Sequence, residues 1–232
     1  KKSIKYRLQE YSIQKKYGLS LAKILSNGPK YSNLNVVIEF MQNFLSAIES
    51  IHNAGFAHLD LKPDNILLKS RYTYGNGIFD TLDFVIVDFG AAGVFKTDCS
   101  KIVEEQMASA AFSPPELLQR KYGKKSDIWA YGVISYLVIV RKFFFKAKAQ
   151  EIFLGEEKQQ IFKNINKAIM NLYKNTIPKY VKSPSQITSY LHPLDNNNFY
   201  LLQDFIRDIF KLDINRRPNT RQLLSHPLFY IK

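Results

Sequence analysis

The sequence predicts an α+β fold that is mainly helical and carries a few short β hairpins. Apolar residues recur at helical spacing across residues 34–53, and residues 126–140 are apolar on nearly every side, so both stretches predict buried helices. Short β-rich runs at 66–68 and 84–87 predict strands. The chain has 232 residues, of which 46% are hydrophobic, so it can form one sizeable core and we expect a single domain.

The first elements along the chain are predicted from changes in periodicity. Residues 4–8 alternate apolar and polar side chains, and a second short strand is expected at 11–14. Gly18 interrupts this pattern, and a short helix is expected from Leu21. The long helix at 34–53 follows, with one apolar face.

The later elements are separated by recognisable turn and loop signals. Gly55 lies just beyond the long helix, in the position that glycine favours after a helix end. Polar, glycine-bearing residues 71–77 predict the connection of a hairpin. Residues 93–115 have no clear periodicity, and a loop of that length inside a compact domain is usually functional. Two further helices are expected at 199–210 and 220–225.

Charge and cysteine content narrow the function classes. The formal net charge is +13, but the lysines are scattered, so we expect a solvated basic surface without a specific nucleic-acid-binding face. Cys99 is the only cysteine, so the chain cannot form an internal disulfide, and we expect an intracellular, cytoplasmic location. The longest apolar run, at 128–140, is too short for a transmembrane segment.

One polar segment carries the strongest indication of chemistry, His58-Leu-Asp-Leu-Lys-Pro-Asp-Asn65. It resembles the catalytic loop of the eukaryotic-type serine/threonine protein kinase family, His-Arg-Asp-Leu-Lys-x-x-Asn. The resemblance implies that Asp60 accepts or orients the proton of a substrate hydroxyl, that Lys62 neutralises the transferred phosphoryl group, and that Asn65 binds Mg²⁺. A lysine at position 62 is the serine/threonine form of this loop. Without the resemblance, the same segment is a polar turn in which Asp60 is a cap.

A second motif, Asp88-Phe-Gly90, follows the strand predicted at 84–87. In the kinase family the aspartate of this tripeptide holds Mg²⁺ against the phosphates of ATP, which implies that role for Asp88. By the same resemblance, Lys62 and Leu67 are expected at the ATP site, with Leu67 lining its floor. ATP and Mg²⁺ are therefore the implied cofactors.

Three more segments resemble conserved motifs of the same family. Ala108-Ser109-Ala-Ala-Phe-Ser-Pro-Pro-Glu116 is similar to the end of the activation segment, which implies that Ser109 bonds the catalytic aspartate and lysine. Glu116 is then expected to form a buried ion pair with Arg217, in the motif Asp-Ile-Asn-Arg-Arg-Pro. Asp127 resembles the aspartate that bonds the backbone of the catalytic loop, and it also suits a helix N-terminus.

The sequence departs from the family pattern in two places. It contains no Gly-x-Gly-x-x-Gly loop, so residues 1–17 are expected to form the last strands of the smaller lobe and the hinge, and 18–232 the helical larger lobe. At Leu59 the family commonly has an arginine that binds a phosphorylated activation segment. We therefore expect that phosphorylation near residues 96–107, for example at Thr97 or Ser100, is not the main switch.

Two functions from different classes fit these observations. The first is an ATP-dependent serine/threonine protein kinase that acts on protein substrates with an upstream small lobe, and the four polar residues of the implied site favour it. The second is a catalytically inactive kinase-like interaction module or truncated relic, which the missing phosphate-binding loop favours.

Overall fold

The computed structural model describes residues 15–27, 34–69, 83–96, 101–102, 112–114, 116, 121–140, 196–211 and 213–230. The strands predicted at 4–8 and 11–14 and the connection predicted at 71–77 lie outside these ranges. None of the helices in the described ranges has the length and apolar character that crossing a bilayer requires.

In the described residues two helices come first, six very short strands follow, and three helices come last. The helices are α1 (Leu21–Asn27), α2 (Leu34–Asn53), α3 (Lys124–Val140), α4 (Asn196–Ile209) and α5 (Thr220–Leu224). The strands are β1 (Phe56–Ala57), β2 (Ile66–Leu68), β3 (Phe84–Ile86), β4 (Gly93–Val94), β5 (Lys101–Ile102) and β6 (Lys121–Tyr122). Single 3₁₀ turns lie at Pro63–Asn65, Phe89–Ala91 and Pro227–Tyr230. The mixed helix and strand content is consistent with the expected α+β class.

Helix α2 confirms the predicted bounds and the predicted glycine stop. The helix ends at Asn53, and Gly55 has a φ of 86°, which L-amino acids with a side chain rarely adopt. The carbonyl of Gly55 then accepts a hydrogen bond from the Phe95 amide at 2.7 Å. The glycine therefore ends the helix and directs the chain into β1.

The strands form three separate antiparallel pairs, β1 with β4, β2 with β3, and β5 with β6. The β2–β3 pair confirms the hairpin that the sequence predicts. The expectation that residues 93–115 lack regular structure is wrong at Gly93–Val94 and Lys101–Ile102. Strands of two residues are too short to produce an alternating pattern, so only their distant partners define them.

Helix α3 is the centre of the core. Every residue from 126 to 139 is buried, as predicted, although the helix begins at Lys124 rather than at residue 126. Its Tyr131 hydroxyl donates to the Met41 carbonyl of α2 at 3.1 Å. On another side, a side chain at Gly132 would collide with Ile209 of α4, so this glycine permits close helix packing.

Helix α5 begins with a capping box that the sequence analysis missed. The Asn219 side chain accepts a hydrogen bond from the Gln222 amide, and the Gln222 side chain accepts one from the Asn219 amide, each at 2.9 Å. The spacing of asparagine and glutamine was a readable signal for this helix start.

A buried ion pair joins the segment before β6 to the segment before α5. The Arg217 guanidinium donates to both carboxylate oxygens of Glu116, at 2.7 and 2.9 Å, and to the carbonyls of Lys125 and Lys211. The exposed fractions of Arg217 and Glu116 are 1% and 5%. Arg217 also lies 5.1 Å from the ring centroid of Trp129. The predicted pairing of Glu116 with Arg217 is confirmed.

Replacing Arg217 with methionine should destabilise the protein strongly. Arg217→Met leaves the Glu116 carboxylate buried without its partner, so we expect the free energy of unfolding to fall by about 3–5 kcal/mol. Arg216→Met is the matched control, because Arg216 is exposed and its pair with Asp213 spans 3.7 Å. The control should cost no more than about 1 kcal/mol. Equal losses in chemical denaturation of the two variants would contradict the buried-pair account.

Candidate active site

One buried carboxylate, that of Asp127, binds the backbone at the start of the His58–Asn65 segment. Asp127, in the first turn of α3, accepts hydrogen bonds from the His58 amide at Oδ2 and the Leu59 amide at Oδ1, each at 2.8 Å. Its Oδ2 also lies 2.8 Å from Nε2 of His52 at the end of α2. Asp127 is 1% exposed. The predicted bond between Asp127 and this backbone is confirmed.

His58 connects the segment to the strand end that precedes Asp88. Its Nε2 lies 3.0 Å from the Val87 carbonyl, and its Nδ1 accepts a hydrogen bond from the Asp60 amide at 3.3 Å. Because His58 is fully buried, it fixes the position of Asp60 relative to the strand end.

Three of the predicted site residues meet in one turn. The Lys62 ammonium donates to Oδ2 of Asp60 at 2.6 Å. The 3₁₀ turn Pro63–Asn65 brings the chain back toward Asp60. The side-chain nitrogen Nδ2 of Asn65 donates to the backbone carbonyl of Asp60 at 2.9 Å and to its Oδ2 at 3.3 Å. The side chains of Asp60 and Lys62 are 12% and 24% exposed. The carboxylate is therefore oriented by two donors and still reaches the surface.

Asp88 lies beside this turn through the backbone. The Val87 amide donates to the Asn65 carbonyl at 2.9 Å, so Asp88 follows directly on a residue bonded to the turn. Asp88 has a φ of 67°, and its side chain is exposed. A non-glycine residue in this region of backbone space carries strain, which other contacts must offset. The exposed Phe89 ring lies 4.8 Å from the His58 ring and supplies one such contact.

Of the two remaining predicted site residues, the structure describes Leu67 but not Ser109. Leu67 is in β2, where it pairs with Val85 and forms a bridge to Ser20. Leu67 is partly exposed, and it follows Asn65 by two residues in the sequence. Ser109 lies outside the described residues, so its predicted bonds to Asp60 and Lys62 stay a prediction.

The donor set of this turn fits Mg²⁺. The side-chain nitrogen of Asn65 donates to Asp60, which leaves the side-chain oxygen Oδ1 of Asn65 as an acceptor. Within the described ranges no hydrogen bond or ion pair reaches the Asp88 carboxylate. One carboxylate and one amide oxygen suit Mg²⁺, which usually takes few protein ligands together with water and substrate phosphates. The described ranges contain no cluster of three or more His, Cys, Asp or Glu side chains, so a metal site built from protein side chains alone is not seen there.

Leu59 is part of an apolar cluster that the sequence analysis did not identify. It has a φ of 65°, is 6% exposed, and packs in a cluster with Ala57, Phe95 and Tyr122. Burial, followed by the charge of Glu116, raises the pKa of Tyr122 to about 12. The members come from positions spread along the chain, so no local sequence pattern could reveal them. Position 59 thus contacts hydrocarbon and offers no cation to a phosphate.

Phosphorylation at Thr97 or Ser100 should therefore not stabilise the fold. With phosphoserine incorporated at Ser100, or phosphothreonine at Thr97, we expect a thermal unfolding midpoint no higher than that of the unmodified chain, because no guanidinium at position 59 can bind the added phosphate. A rise of several degrees on modification of either residue would overturn this interpretation.

Comparison with known proteins identifies the family. The protein kinase domain family matches residues 6–229. CDPK-related kinase 1 of Arabidopsis thaliana is 28% identical over 212 residues, which cover 91% of this chain and 31% of that protein. The calcium/calmodulin-dependent serine/threonine-protein kinase 1 of Oryza sativa subsp. japonica is also 28% identical over 212 residues, covering 91% and 29%.

A third relative, calcium-dependent protein kinase 2 of Arabidopsis thaliana, is 26% identical over 189 residues, covering 82% of this chain and 24% of that protein. The chain spans less than a third of the length of these three relatives. The family match covers nearly the whole chain and coincides with the geometry of the His58–Asn65 turn. The chain belongs to the protein kinase domain family.

Proposed function

We propose that the chain transfers the γ-phosphoryl group of ATP to serine or threonine hydroxyls of protein substrates. The observation that carries this proposal is the Asp60–Lys62–Asn65 turn, in which two donors orient one carboxylate whose side chain reaches the surface. Two of these relatives are named as calcium-dependent or calcium/calmodulin-dependent kinases, and one of the two is named as a serine/threonine kinase. Those names support the specificity for serine and threonine that Lys62 implies.

The proposal includes a division of the chain into two parts. Residues 18–232 would form the larger lobe, and residues 1–17 the end of the smaller lobe and the hinge. The contacts of Gly18 and Leu19 support this division. The Gly18 amide donates to the Leu68 carbonyl at 2.8 Å, and the Leu68 amide donates to the Leu19 carbonyl at 3.0 Å. The residues that follow the proposed hinge therefore extend the β2–β3 hairpin next to the candidate site.

Asp60 would act on the attacking hydroxyl. As the substrate oxygen forms its bond to the γ-phosphorus, the bond from that phosphorus to the β,γ-bridging oxygen breaks and ADP leaves. The hydroxyl proton passes to the Asp60 carboxylate and then to solvent. The hydrogen bonds from Lys62 and Asn65 hold the carboxylate in one orientation, so the substrate hydroxyl meets a fixed acceptor.

Lys62 and Ser109 would serve the same step. The Lys62 ammonium, 2.6 Å from Asp60, is placed to balance the charge that develops on the transferred phosphoryl oxygens. Ser109 is proposed, by resemblance alone, to hold the Asp60 and Lys62 side chains together. Leu67 would line the floor beneath the nucleotide.

Asn65 and Asp88 are the residues that would hold Mg²⁺. When bound, Mg²⁺ neutralises phosphate charge and orients the phosphate chain. Asn65 contributes an amide oxygen fixed by the bond of its nitrogen to Asp60, and Asp88 contributes an exposed carboxylate. We include an intracellular location in the proposal, because the single cysteine excludes an internal disulfide.

Replacing Asp60 with asparagine should abolish phosphoryl transfer. We would incubate the chain with Mg²⁺, labelled ATP and a generic serine/threonine protein substrate, and measure label on the substrate. Asp60→Asn keeps the shape of the side chain but removes the proton acceptor, so the rate should fall about 10²–10⁴-fold. Asp64→Asn is the matched control, because Asp64 is exposed in the same loop and, within the described residues, forms no hydrogen bond or ion pair with Asp60.

The outcomes separate the proposed function from its alternative. Loss of transfer in Asp60→Asn with retention in Asp64→Asn supports the enzyme and the role of Asp60. Equal rates in the three chains would contradict the role of Asp60. Background transfer by all three would reject activity of this 232-residue chain and favour the kinase-like interaction module.

A further inference from the structure

A polar pocket lies away from the candidate active site, between the end of α2, the start of α3 and the start of α5. Its volume is about 370 Å³. One water molecule takes about 30 Å³ of liquid volume, so the pocket has room for a multi-atom ion together with several waters. The proposed phosphoryl transfer uses none of the residues that line it.

Lys124 is the residue in this pocket that most favours a bound anion. It lines the pocket, is 8% exposed, and is the first residue of α3. Within the described ranges no hydrogen bond and no ion pair reaches its side chain. A largely buried ammonium that pairs with no carboxylate among the described residues is less favourable than an exposed one, because protein covers it on most sides. The arrangement is stable if an anion supplies the missing interactions.

Other lining residues provide donors for the same anion. Arg221, on the exposed side of α5, brings a second cation to the pocket. Thr220 is 5% exposed, and the described residues provide no hydrogen bond to its hydroxyl. Asn53, at the end of α2, adds an amide. Ammonium, guanidinium, hydroxyl and amide groups together suit the tetrahedral oxygens of phosphate, which accept hydrogen bonds from several directions.

The charges around the pocket favour an anion. Two cations, Lys124 and Arg221, face one carboxylate among the described lining residues, that of Glu49. Asp127 lies behind His52, another lining residue, and its oxygens are already taken up by His52 and the amides of the His58–Asn65 turn. The positive end of the α3 dipole adds to the attraction at Lys124.

We propose that this pocket binds a phosphate group, either free phosphate or a small phosphomonoester, with Lys124 and Arg221 as the binding cations. The site is distinct from the nucleotide site of the proposed kinase reaction and does not rest on it. His52 contacts both the pocket and Asp127, so a bound phosphate lies one side chain away from the carboxylate that holds the His58–Asn65 turn.

The test is calorimetric titration of the full chain with inorganic phosphate and with glycerol phosphate, at constant ionic strength. We expect saturable binding of one phosphate group, weakened about tenfold or more by Lys124→Met or Arg221→Gln, since each removes a charge-assisted hydrogen bond. Tighter binding of the ester than of the free ion would identify a phosphomonoester as the ligand, and the reverse order would identify free phosphate. Acetate at the same ionic strength should not compete.

Matched variants separate this site from other lysines and from the active site. Lys125→Met removes the neighbouring lysine, whose ammonium donates to the Asn215 carbonyl, and Arg216→Gln removes an exposed arginine. Lys62→Met removes the cation of the candidate active site. All three should keep the phosphate affinity of the unchanged chain.

A stability measurement gives a second, independent readout. In phosphate-free buffer Lys124→Met should unfold at an equal or higher temperature than the unchanged chain, because it removes a largely buried charge that has no ion-pair partner among the described residues. Arg221 is exposed, so Arg221→Gln carries the binding test even if the Lys124 variant fails to fold. The proposal is wrong if phosphate does not bind saturably, if acetate competes equally, or if Arg221→Gln and its Arg216→Gln control bind phosphate alike.

Discussion

The arrangement of the candidate site depends on the Asp127 carboxylate. This side chain is 1% exposed and accepts hydrogen bonds from the backbone amides of His58 and Leu59. It also contacts His52 of α2. Charge-assisted hydrogen bonds of this kind are stronger than neutral ones, and their loss inside a core leaves several polar groups unsatisfied at once. Asp127 is fixed by α3, in which every residue from 126 to 139 is buried, so the position of Asp60 is determined by the core rather than by the loop itself.

The second constraint is the Glu116–Arg217 pair, which joins parts of the chain that are far apart in sequence. The Arg217 guanidinium also binds the Lys125 carbonyl in the first turn of α3, two residues before Asp127. The two buried networks therefore meet at the start of the same helix. The phosphate pocket proposed above borders this helix start as well, through Lys124 and His52. Buried polar groups therefore concentrate at this helix start, which also positions the candidate site.

Local patterns predicted the elements that are decided locally. The bounds of α2 followed from one apolar face and Gly55, and the β2–β3 hairpin followed from two β-rich runs. The start of α3 was placed two residues late, because Lys124 and Lys125 are polar and the apolar pattern begins after them. The Asp127 and Glu116 contacts were predicted by resemblance to a family, since spacing alone does not indicate a partner many residues away.

What the sequence could not indicate depends on contacts between distant segments. Strands β1, β4, β5 and β6 have two residues each and exist because their partners align them. The cluster around Leu59 joins residues from three separate segments, and its left-handed backbone has no signature in a leucine. Lys124 looks like any other lysine in a basic chain, and only its burial beside a polar pocket distinguishes it.

The most direct test of the central claim is hydrogen exchange at the His58 and Leu59 amides. If Asp127 holds them, both should exchange only when the whole protein unfolds, with the same opening free energy as the Val133 amide in the middle of α3. The Ala92 amide, in a surface turn, supplies the reference for local opening. Exchange of His58 and Leu59 at a rate close to that of Ala92 would mean that the turn opens independently of the core. That result would contradict the claim that Asp127 positions the site.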